Sequence, residues 1–426
     1  MILLLYTLLM SVVLVLIYPA AWILSCFGRI KAWERFHVTL KIHQAYSERV
    51  WIHAASVGEA GIAFSMAGEI KRKHPKAVIY ISTITSTGLD RVRALNETQG
   101  ECTVEGTFFA PFDHPVITSK FVRTIKPSAF ILVETELWPW LIRSLHRKNI
   151  PISIINGKLS RRSFRRYMLI SGTIKNIAGK VSLYCVQSRT FAKRYRLLGV
   201  PQERIEIIGN VKFDGLPEKS EFNVREQRRY FRIPDGVKVF TAGSTRPGEE
   251  EIIARSFDQV LGEYPDAFMV IAPRHLNRIT EVEKIIADAG FLYAKRTDEE
   301  GISGTEEKVL ILDTLGELIR AFACADAAFV GGSLSDFSGH NPLEPAALGV
   351  PVIFGPYMEQ TGSKELLSEG AAVLVHDEFE LAEMILRIFE GGEKSRIMSQ
   401  AGPTVVRRFK GTLARTLQCM ENRKLI

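Results

Sequence analysis

Between residues 50 and 375, short apolar runs rich in β-branched side chains alternate with stretches of helical spacing, and the alternation comes in two separate series. The first series runs through 50–54, 77–82, 129–133 and 152–155, with Ile62, Met66 and Ile70 at helical intervals after its first run and 137–145 helical after its third. The second runs through 239–242, 268–272, 309–312, 327–330, 352–354 and 372–375, each followed by a turn and a helical stretch. Strands separated by helix-length segments build a parallel sheet covered on both faces. The pattern therefore predicts an α/β chain of two doubly wound, Rossmann-like halves. A length of 426 residues suits this, at about 150 residues per domain. Between the series lies a polar stretch, 214–232, whose composition suits a crossing segment with the hinge in it. Ligands of such sheets bind beyond the carboxyl ends of the strands, so two facing halves predict one central cleft where the strand-end loops meet.

Ahead of both series, residues 2–17 are apolar or aromatic except for Thr7 and Ser11, and no charged side chain occurs before Arg29. An apolar run above roughly 18 residues is the signature of a membrane-spanning helix. A cleaved signal peptide opens with a basic segment, and no Lys or Arg precedes this run. Arg29, Lys31, Arg35 and Lys41 follow it against the single acid Glu34, which by the positive-inside rule places the rest of the chain in the cytoplasm. Trp22 and Trp33 flank the boundary, where they serve a membrane interface or packing on the next domain equally well.

Composition removes several classes. With 46% hydrophobic and 24% charged residues, wholesale disorder is excluded. The five cysteines, Cys26, Cys102, Cys185, Cys324 and Cys419, are scattered without a CxxC pair, which suggests neither a zinc site nor a disulfide framework. Lys and Arg number 55 against 47 Asp and Glu, and this excess suits an anionic partner: nucleic acid, anionic lipid or sugar nucleotide. No nucleic-acid motif accompanies the charge.

The strand-end loops hold the candidate chemistry. After the first strand, 53–59 (HAASVGE) is a small-residue turn containing Ser56, with Glu59 placed as a general base or as support for the next helix start. The second strand ends in the hydroxyl-rich 82–88, where Thr87 suits a sugar or phosphate oxygen and helix capping needs only one hydroxyl. Residues 134–139 (ETELWP) put Glu134 and Glu136 beside Trp138, a carboxylate pair of the kind glycosyl chemistry uses, with helix capping as the competing role. The stretch 157–166 carries Lys158, Arg161, Arg162, Arg165 and Arg166 with no acid, and reads as an anion-facing surface or a solvated basic face. In the second series, Gly243-Ser244 before a helix is a generic phosphate cradle. Arg274 suits bidentate phosphate contact, while His275 beside it fits a supporting position. Gly331-Gly332-Ser333 and 338–346 (SGHNPLEPA) let backbone approach a ligand and offer Asn341 and Glu344 to a ribose and a phosphate. No HxxH or HExxH pair occurs, so no metal site is expected.

Taken in order, HAASVGE, ETELWP, NGKLSRRS, GNVKFD, AGSTRPGEE, APRH and GHNPLEPAALGVPVIFGP resemble the 3-deoxy-D-manno-octulosonic acid (Kdo) transferases along nearly the whole chain. The resemblance implies the two-domain GT-B glycosyltransferase fold, a CMP-Kdo donor, a lipid A precursor (lipid IVA) as acceptor in lipopolysaccharide biosynthesis, inner-membrane lipid as surroundings, and no metal or other cofactor. By position it puts the catalytic base on Glu59, a second essential acid on Glu134, a basic cleft residue on Lys212 and a CMP phosphate contact on Arg274. Ser244, His275, Gly332, Ser333, Asn341 and Glu344 complete the expected donor site, and Ser56, Thr87, Arg161 and Arg162 the expected acceptor or phosphate site. The domains expected are an anchor at 1–28, an acceptor-binding domain at 29–215, the interdomain segment 216–232, a CMP-sugar-binding domain at 233–402 and a C-terminal helix in 403–426, its return to the first domain left open. Ser338 stands where a second Gly is usual, and 355–362 lacks a common Asn-Phe. The alternatives are a GT-B enzyme using a UDP-sugar, as lipid glycosyltransferase or sugar-nucleotide epimerase, and a non-catalytic anionic-lipid-binding protein.

Overall fold

The computed structural model describes residues 2–26, 31–38, 40, 48–98, 103–298 and 306–426. Arg29, Lys41 and Cys102 lie outside them. Two compact units emerge, one of residues 1–214 with 411–426 and one of 215–410.

The first unit is built on an all-parallel sheet of β1 (Arg49–Ala54), β2 (Val78–Thr83), β3 (Gly106–Phe109), β4 (Ala129–Val133), β5 (Ile152–Gly157), β6 (Leu183–Val186) and β7 (Ile205–Ile207) in the order β3-β2-β1-β4-β5-β6-β7. Its central strands are buried on both faces, which is why they read as continuous apolar runs. The order reverses between β1 and β4, so their carboxyl ends flank the crevice where such sheets take ligands. Glu59 follows one of these strands and Glu134 the other.

In the second unit β8 (Val239–Thr245), β9 (Phe268–Pro273), β10 (Tyr293–Lys295), β11 (Val309–Ile311), β12 (Ala327–Val330), β13 (Val352–Phe354) and β14 (Ala372–Leu374) are ordered β10-β11-β9-β8-β12-β13-β14, again parallel. Here the switch point lies between β8 and β12, which puts Ser244 and Gly331-Gly332 at the crevice.

The stretch 216–232 differs from the crossing segment expected of it, since it packs as part of the second unit. Phe231 is buried with Val239 and Phe268, and Arg228 donates to the Val237 carbonyl at 3.0 Å and to Asp326 at 3.2 Å. The polar composition of its helix, Val224–Tyr230, reflects a surface element rather than a linker. At the other end, the helix Glu393–Phe409 stays with the second unit, and the chain returns at Gly411 with φ +78°. The helix Thr412–Asn422 then buries Leu417 and Met420 in the core beneath β1 and the helix Val57–Lys73. Asp214 fastens that return, its carboxylate accepting from the Thr412 N–H at 2.9 Å and the Leu413 N–H at 2.7 Å.

The N-terminal helix, Ile2–Cys26, is long and apolar enough to cross a membrane by length and composition. It does not stand free, because Tyr6, Thr7 and Ser11 hydrogen-bond to Asp113, Trp140 and His114 of the first unit. Arg35, expected among the basic residues that follow the anchor, turns inward instead. It donates to the Ile84 carbonyl and lies 5.4 Å from the Phe109 ring centre.

Candidate active site

In the first unit the loops after β1 and β4 open onto a cavity of about 550 Å³. Ser56 is the N-cap of the helix Val57–Lys73: its hydroxyl accepts from the Glu59 N–H at 3.3 Å and donates to the Glu59 carboxylate at 3.0 Å. The same carboxylate accepts from the Ala55 N–H at 2.8 Å. Glu59 thus does what the helix start requires, and it also lines the cavity with Glu134 and Glu136. Burial holds its carboxyl above the usual carboxylate range, and the negative Glu134 and Glu136 push the same way against the Ala55 and Ser56 donors. A carboxylate with raised proton affinity is a stronger base than an ordinary glutamate.

Glu134 adopts φ +62°, a left-handed conformation that costs a side-chain-bearing residue about 1 kcal/mol or more. Its N–H still pairs with the Ile155 carbonyl at 2.9 Å, so the strand continues one bond past β4 and then turns sharply. Glu136 accepts from the Trp138 indole N–H at 3.0 Å, and burial raises its carboxyl as well. Lys158 and Arg166 line the same cavity as the acids, and apolar lining comes from Ile2, Leu3 and Ile170. The basic stretch therefore enters the site through Lys158 and Arg166. Arg161 and Arg162, the two expected there, are exposed on the first turn of the helix Arg161–Leu169 and do not line the cavity. Thr87 is exposed in the first turn of the helix Ser86–Thr98 and also lies off the cavity; it is Thr85 whose hydroxyl accepts from the Gly88 N–H, at 3.1 Å. Lys212 is an exposed residue of the 3-10 turn Val211–Phe213, whose start Asn210 caps through the Lys212 N–H at 3.1 Å.

In the second unit the Gly331-Gly332-Ser333 loop, expected to let backbone approach a ligand, already holds a side chain of the protein. The Glu249 carboxylate, fully buried, accepts from the N–H groups of Gly332 at 2.7 Å, Ser333 at 2.9 Å, Leu334 at 2.9 Å and Arg246 at 2.9 Å. A carboxylate offers backbone N–H groups the same oxygen acceptors as a phosphate, so the protein closes this anion nest with its own side chain. Ser333 is fully buried, its hydroxyl accepting from the Gly355 N–H at 2.9 Å and donating to the Val330 carbonyl. Gly332 and Ser333, expected at the donor site, thus have these N–H groups and the Ser333 hydroxyl engaged within the protein. Ser244 sits at an irregularity between β8 and β9 with φ +59°, and its carbonyl presses so close to Gly331 that a Cβ there would lie 2.5 Å from it.

The cationic surface of this unit lies beside that nest. Arg246 bonds His275 at 2.8 Å and His340 at 3.3 Å, and lies 5.0 Å from the Phe337 ring centre. Burial together with Arg246, Arg274 and His275 lowers the His340 pKa to about 4, so its ring is neutral at pH 7 and the charge rests on the two arginines. Asn341 donates to Glu344 at 3.1 Å; burial raises the Glu344 carboxyl, while Asn341 and Arg274 oppose the rise. Arg274, His275, His340, Asn341 and Glu344 thus come together as one cluster. Arg246 and Glu249 were missed by sequence reasoning, although both stand in the segment 242–250 that drew attention as a helix start. Ser338, in place of the usual Gly, has φ +62°, which explains the preference for Gly there. Ser338→Gly is expected to stabilise the protein by about 1 kcal/mol without raising donor KM, checked by thermal unfolding and steady-state kinetics.

Residues 31–215 match the family described as 3-deoxy-D-manno-octulosonic-acid transferase (kdotransferase). A 3-deoxy-D-manno-octulosonic acid transferase of Haemophilus influenzae is 33% identical over 87% of this chain and 86% of its own length. One from Chlamydophila psittaci is 28% identical over 86% of this chain and 83% of its own. Among solved structures, a glycosyltransferase of Rickettsia africae superposes with a TM-score of 0.61 at 13% identity, covering 89% of this chain and 99% of that one. A UDP-GlcNAc 2-epimerase of Neisseria meningitidis gives 0.60 at 16% identity, covering 87% and 99%. These likenesses and the two parallel-sheet units establish the GT-B fold. With one relative a third identical along almost its full length, the chain belongs to the 3-deoxy-D-manno-octulosonic acid transferases and is a glycosyltransferase.

Proposed function

We propose that the protein transfers Kdo from CMP-Kdo to a lipid A precursor, lipid IVA, in lipopolysaccharide biosynthesis at the cytoplasmic face of the inner membrane, with the N-terminal helix holding it there. One observation carries this reading: an acid of raised proton affinity, Glu59, shares a cavity with two cations and with the first turn of an apolar helix. Such a wall suits an acceptor that is phosphorylated, lipid-linked and attacked at a hydroxyl.

In the reaction, the Glu59 carboxylate takes the proton from a primary hydroxyl of the acceptor as that oxygen bonds to the anomeric carbon of Kdo. The bond from that carbon to the CMP phosphate oxygen breaks on the opposite face, inverting the centre. Glu134, which lines the same cavity, favours the positive charge that develops on the sugar. Arg274 and Arg246 of the second unit supply positive charge for the departing phosphate, and no step calls for a metal. Asn341 and Glu344 suit the cytidine ribose, and Ser244 sets the loop beside them.

The test is incubation of detergent-solubilised protein with CMP-Kdo and tetraacylated lipid A precursor in EDTA, with mass spectrometry of the lipid. A mass increment of one or more Kdo units is expected. No increment, with a known Kdo transferase active in parallel, overturns the reading, and competition by UDP but not CMP would then point to a UDP-sugar. Arg166→Ala is expected to raise acceptor KM about tenfold with donor KM unchanged, and Arg161→Ala to change acceptor KM less than twofold, as order-of-magnitude losses of one charged contact against a surface one. Equal effects of the two would argue against the cavity as the acceptor site.

A further inference from the structure

Exposure along the N-terminal helix follows the helical period. Leu3, Tyr6, Thr7, Met10, Ser11 and Leu14 are half-buried against the first unit, while Leu4, Leu5, Leu8, Leu9, Val12 and Leu16 are exposed. A span surrounded by lipid would be open on all sides. The covered face is tied by hydrogen bonds: Tyr6 to Asp113 at 2.9 Å, the Trp140 indole to Thr7 at 3.1 Å, and Ser11 to His114 at 3.2 Å. Asp113 is itself buried and accepts from the Trp140 and Leu141 N–H groups, so the tie joins the helix to the start of the helix Pro139–His146. Farther along, Tyr18 packs on Trp33 with ring centres 4.9 Å apart. From Tyr6 to Tyr18 the helix therefore runs alongside the unit for about 18 Å, at 1.5 Å per residue.

That length alongside the unit decides the orientation. Were the helix to cross the bilayer, the groups bonded to residues 6–11 would enter hydrocarbon together with the exposed Lys120 and Arg123 of the helix Pro115–Ile125. Charged side chains at that depth cost several kcal/mol each. Lying in the interface, the helix buries only its exposed leucine and valine stripe, and the unit stays in water.

We infer that the N-terminal helix lies in the plane of one leaflet, docked on the first unit by its Tyr6, Thr7 and Ser11 face and sunk in lipid by its Leu5, Leu9 and Val12 face, so that the acidic cavity opens at the lipid surface. The occupant of the stripe is the hydrocarbon of an anionic leaflet. Beside the cavity the helix Arg161–Leu169 exposes Arg161, Arg162, Arg165 and Arg166 together with Met168 and Leu169, the pairing of basic and apolar groups that fits anionic headgroups above acyl chains. Ile2, Leu3 and Arg166 line one cavity, which makes the two lipid-facing elements neighbours. The single-pass anchor expected from the sequence becomes an in-plane element.

This inference deepens the proposed reading by stating how a lipid-linked acceptor reaches Glu59, but its test reads no glycosyl transfer, so the two fail separately. A hydrophilic epitope tag placed before Ile2 in the full chain is exposed to protease in intact spheroplasts and again after lysis. Protection before lysis and cleavage after it are expected; cleavage in intact spheroplasts means a spanning helix and overturns the proposal. In a second measurement, Leu5→Glu with Leu9→Glu is expected to lower partition onto phosphatidylethanolamine and phosphatidylglycerol vesicles at least tenfold while thermal unfolding stays unchanged, because both side chains already face outward. Unaltered partition would also overturn it. Should the double variant unfold, Leu8→Glu alone gives the same readout, and the tag experiment decides without any substitution.

Discussion

Replacing Glu59 by glutamine is expected to lower kcat by roughly 10²- to 10⁴-fold while CMP-Kdo affinity and thermal stability stay near those of the parent. The choice of glutamine matters, because Glu59 has two jobs. Its carboxylate accepts from the Ser56 hydroxyl and from the Ala55 N–H beside the helix start. In the glutamine variant the amide oxygen accepts from the Ala55 N–H while the NH₂ group donates to the Ser56 hydroxyl, so the helix start survives and only the proton acceptor is lost. Alanine removes both, and is expected to cost about 1 kcal/mol of stability on top of the rate. The parent should show an acid limb in kcat/KM above the ordinary glutamate value of about 4.3, since ionised Glu59 is needed and burial raises its pKa. As pH falls through that raised pKa the base is protonated and the rate drops. Glu136→Gln removes one negative neighbour, so the limb is expected to move to lower pH while the Trp138 hydrogen bond persists. A limb that stays in place, or a Glu59→Gln variant with near-normal turnover, would remove Glu59 from the chemistry and leave it a cap.

The central strands were legible because parallel strands buried on both faces read as apolar runs, complete in β4 and β12 and broken in β1 and β8 by only a few polar residues such as His53 and Thr241. Of the edge strands, β14 was legible and β3, β7 and β10 were not. β3 and β10 are short and partly exposed, with Gly106 or Lys295 among their few residues, so no run marks them. At the site, Glu59 and Glu134 were legible as acids at strand ends. What the sequence withheld was which donors were already taken. Gly332 and Ser333 read as ligand contacts until the fold brings Glu249 onto their N–H groups from more than 80 residues away. Arg246 was passed over for the same reason, its imidazole partner His340 lying 94 positions along the chain. The basic stretch showed its charge, but only the turn of its helix decides that Arg166 rather than Arg161 or Arg162 meets the cavity. The apolar N-terminus showed its length and composition, but not its covered side, which depends on Asp113, Trp140 and His114 arriving from far along the chain.

Glu249→Ala is expected to cost about 3 to 5 kcal/mol, the range for stripping a buried charged acceptor from its partners. Four N–H groups lose their acceptor together, those of Arg246, Gly332, Ser333 and Leu334, in a place where the wild-type side chain is fully buried. For a unit of this size that loss lowers Tm by roughly 6 to 20 °C. Glu249→Gln should fall between, because its amide oxygen satisfies two donors while its NH₂ group faces the others. The kinetic consequence follows from what the nest holds in place. Gly332 accepts from the Gly339 N–H at 2.6 Å and Gly331 from the His340 N–H at 3.1 Å, so a shifted nest moves the loop that carries His340, Asn341 and Glu344. The Arg246 backbone is tied to the same carboxylate, and its side chain sets His275 and His340. Glu249 touches none of the reacting atoms and positions those that do. In the glutamine variant, assayed well below its Tm, donor KM is therefore expected to rise about tenfold or more while acceptor KM holds, and the acid limb set by Glu59 should not move. A variant that is only less stable, with donor KM unchanged, would make the filled nest a matter of folding alone.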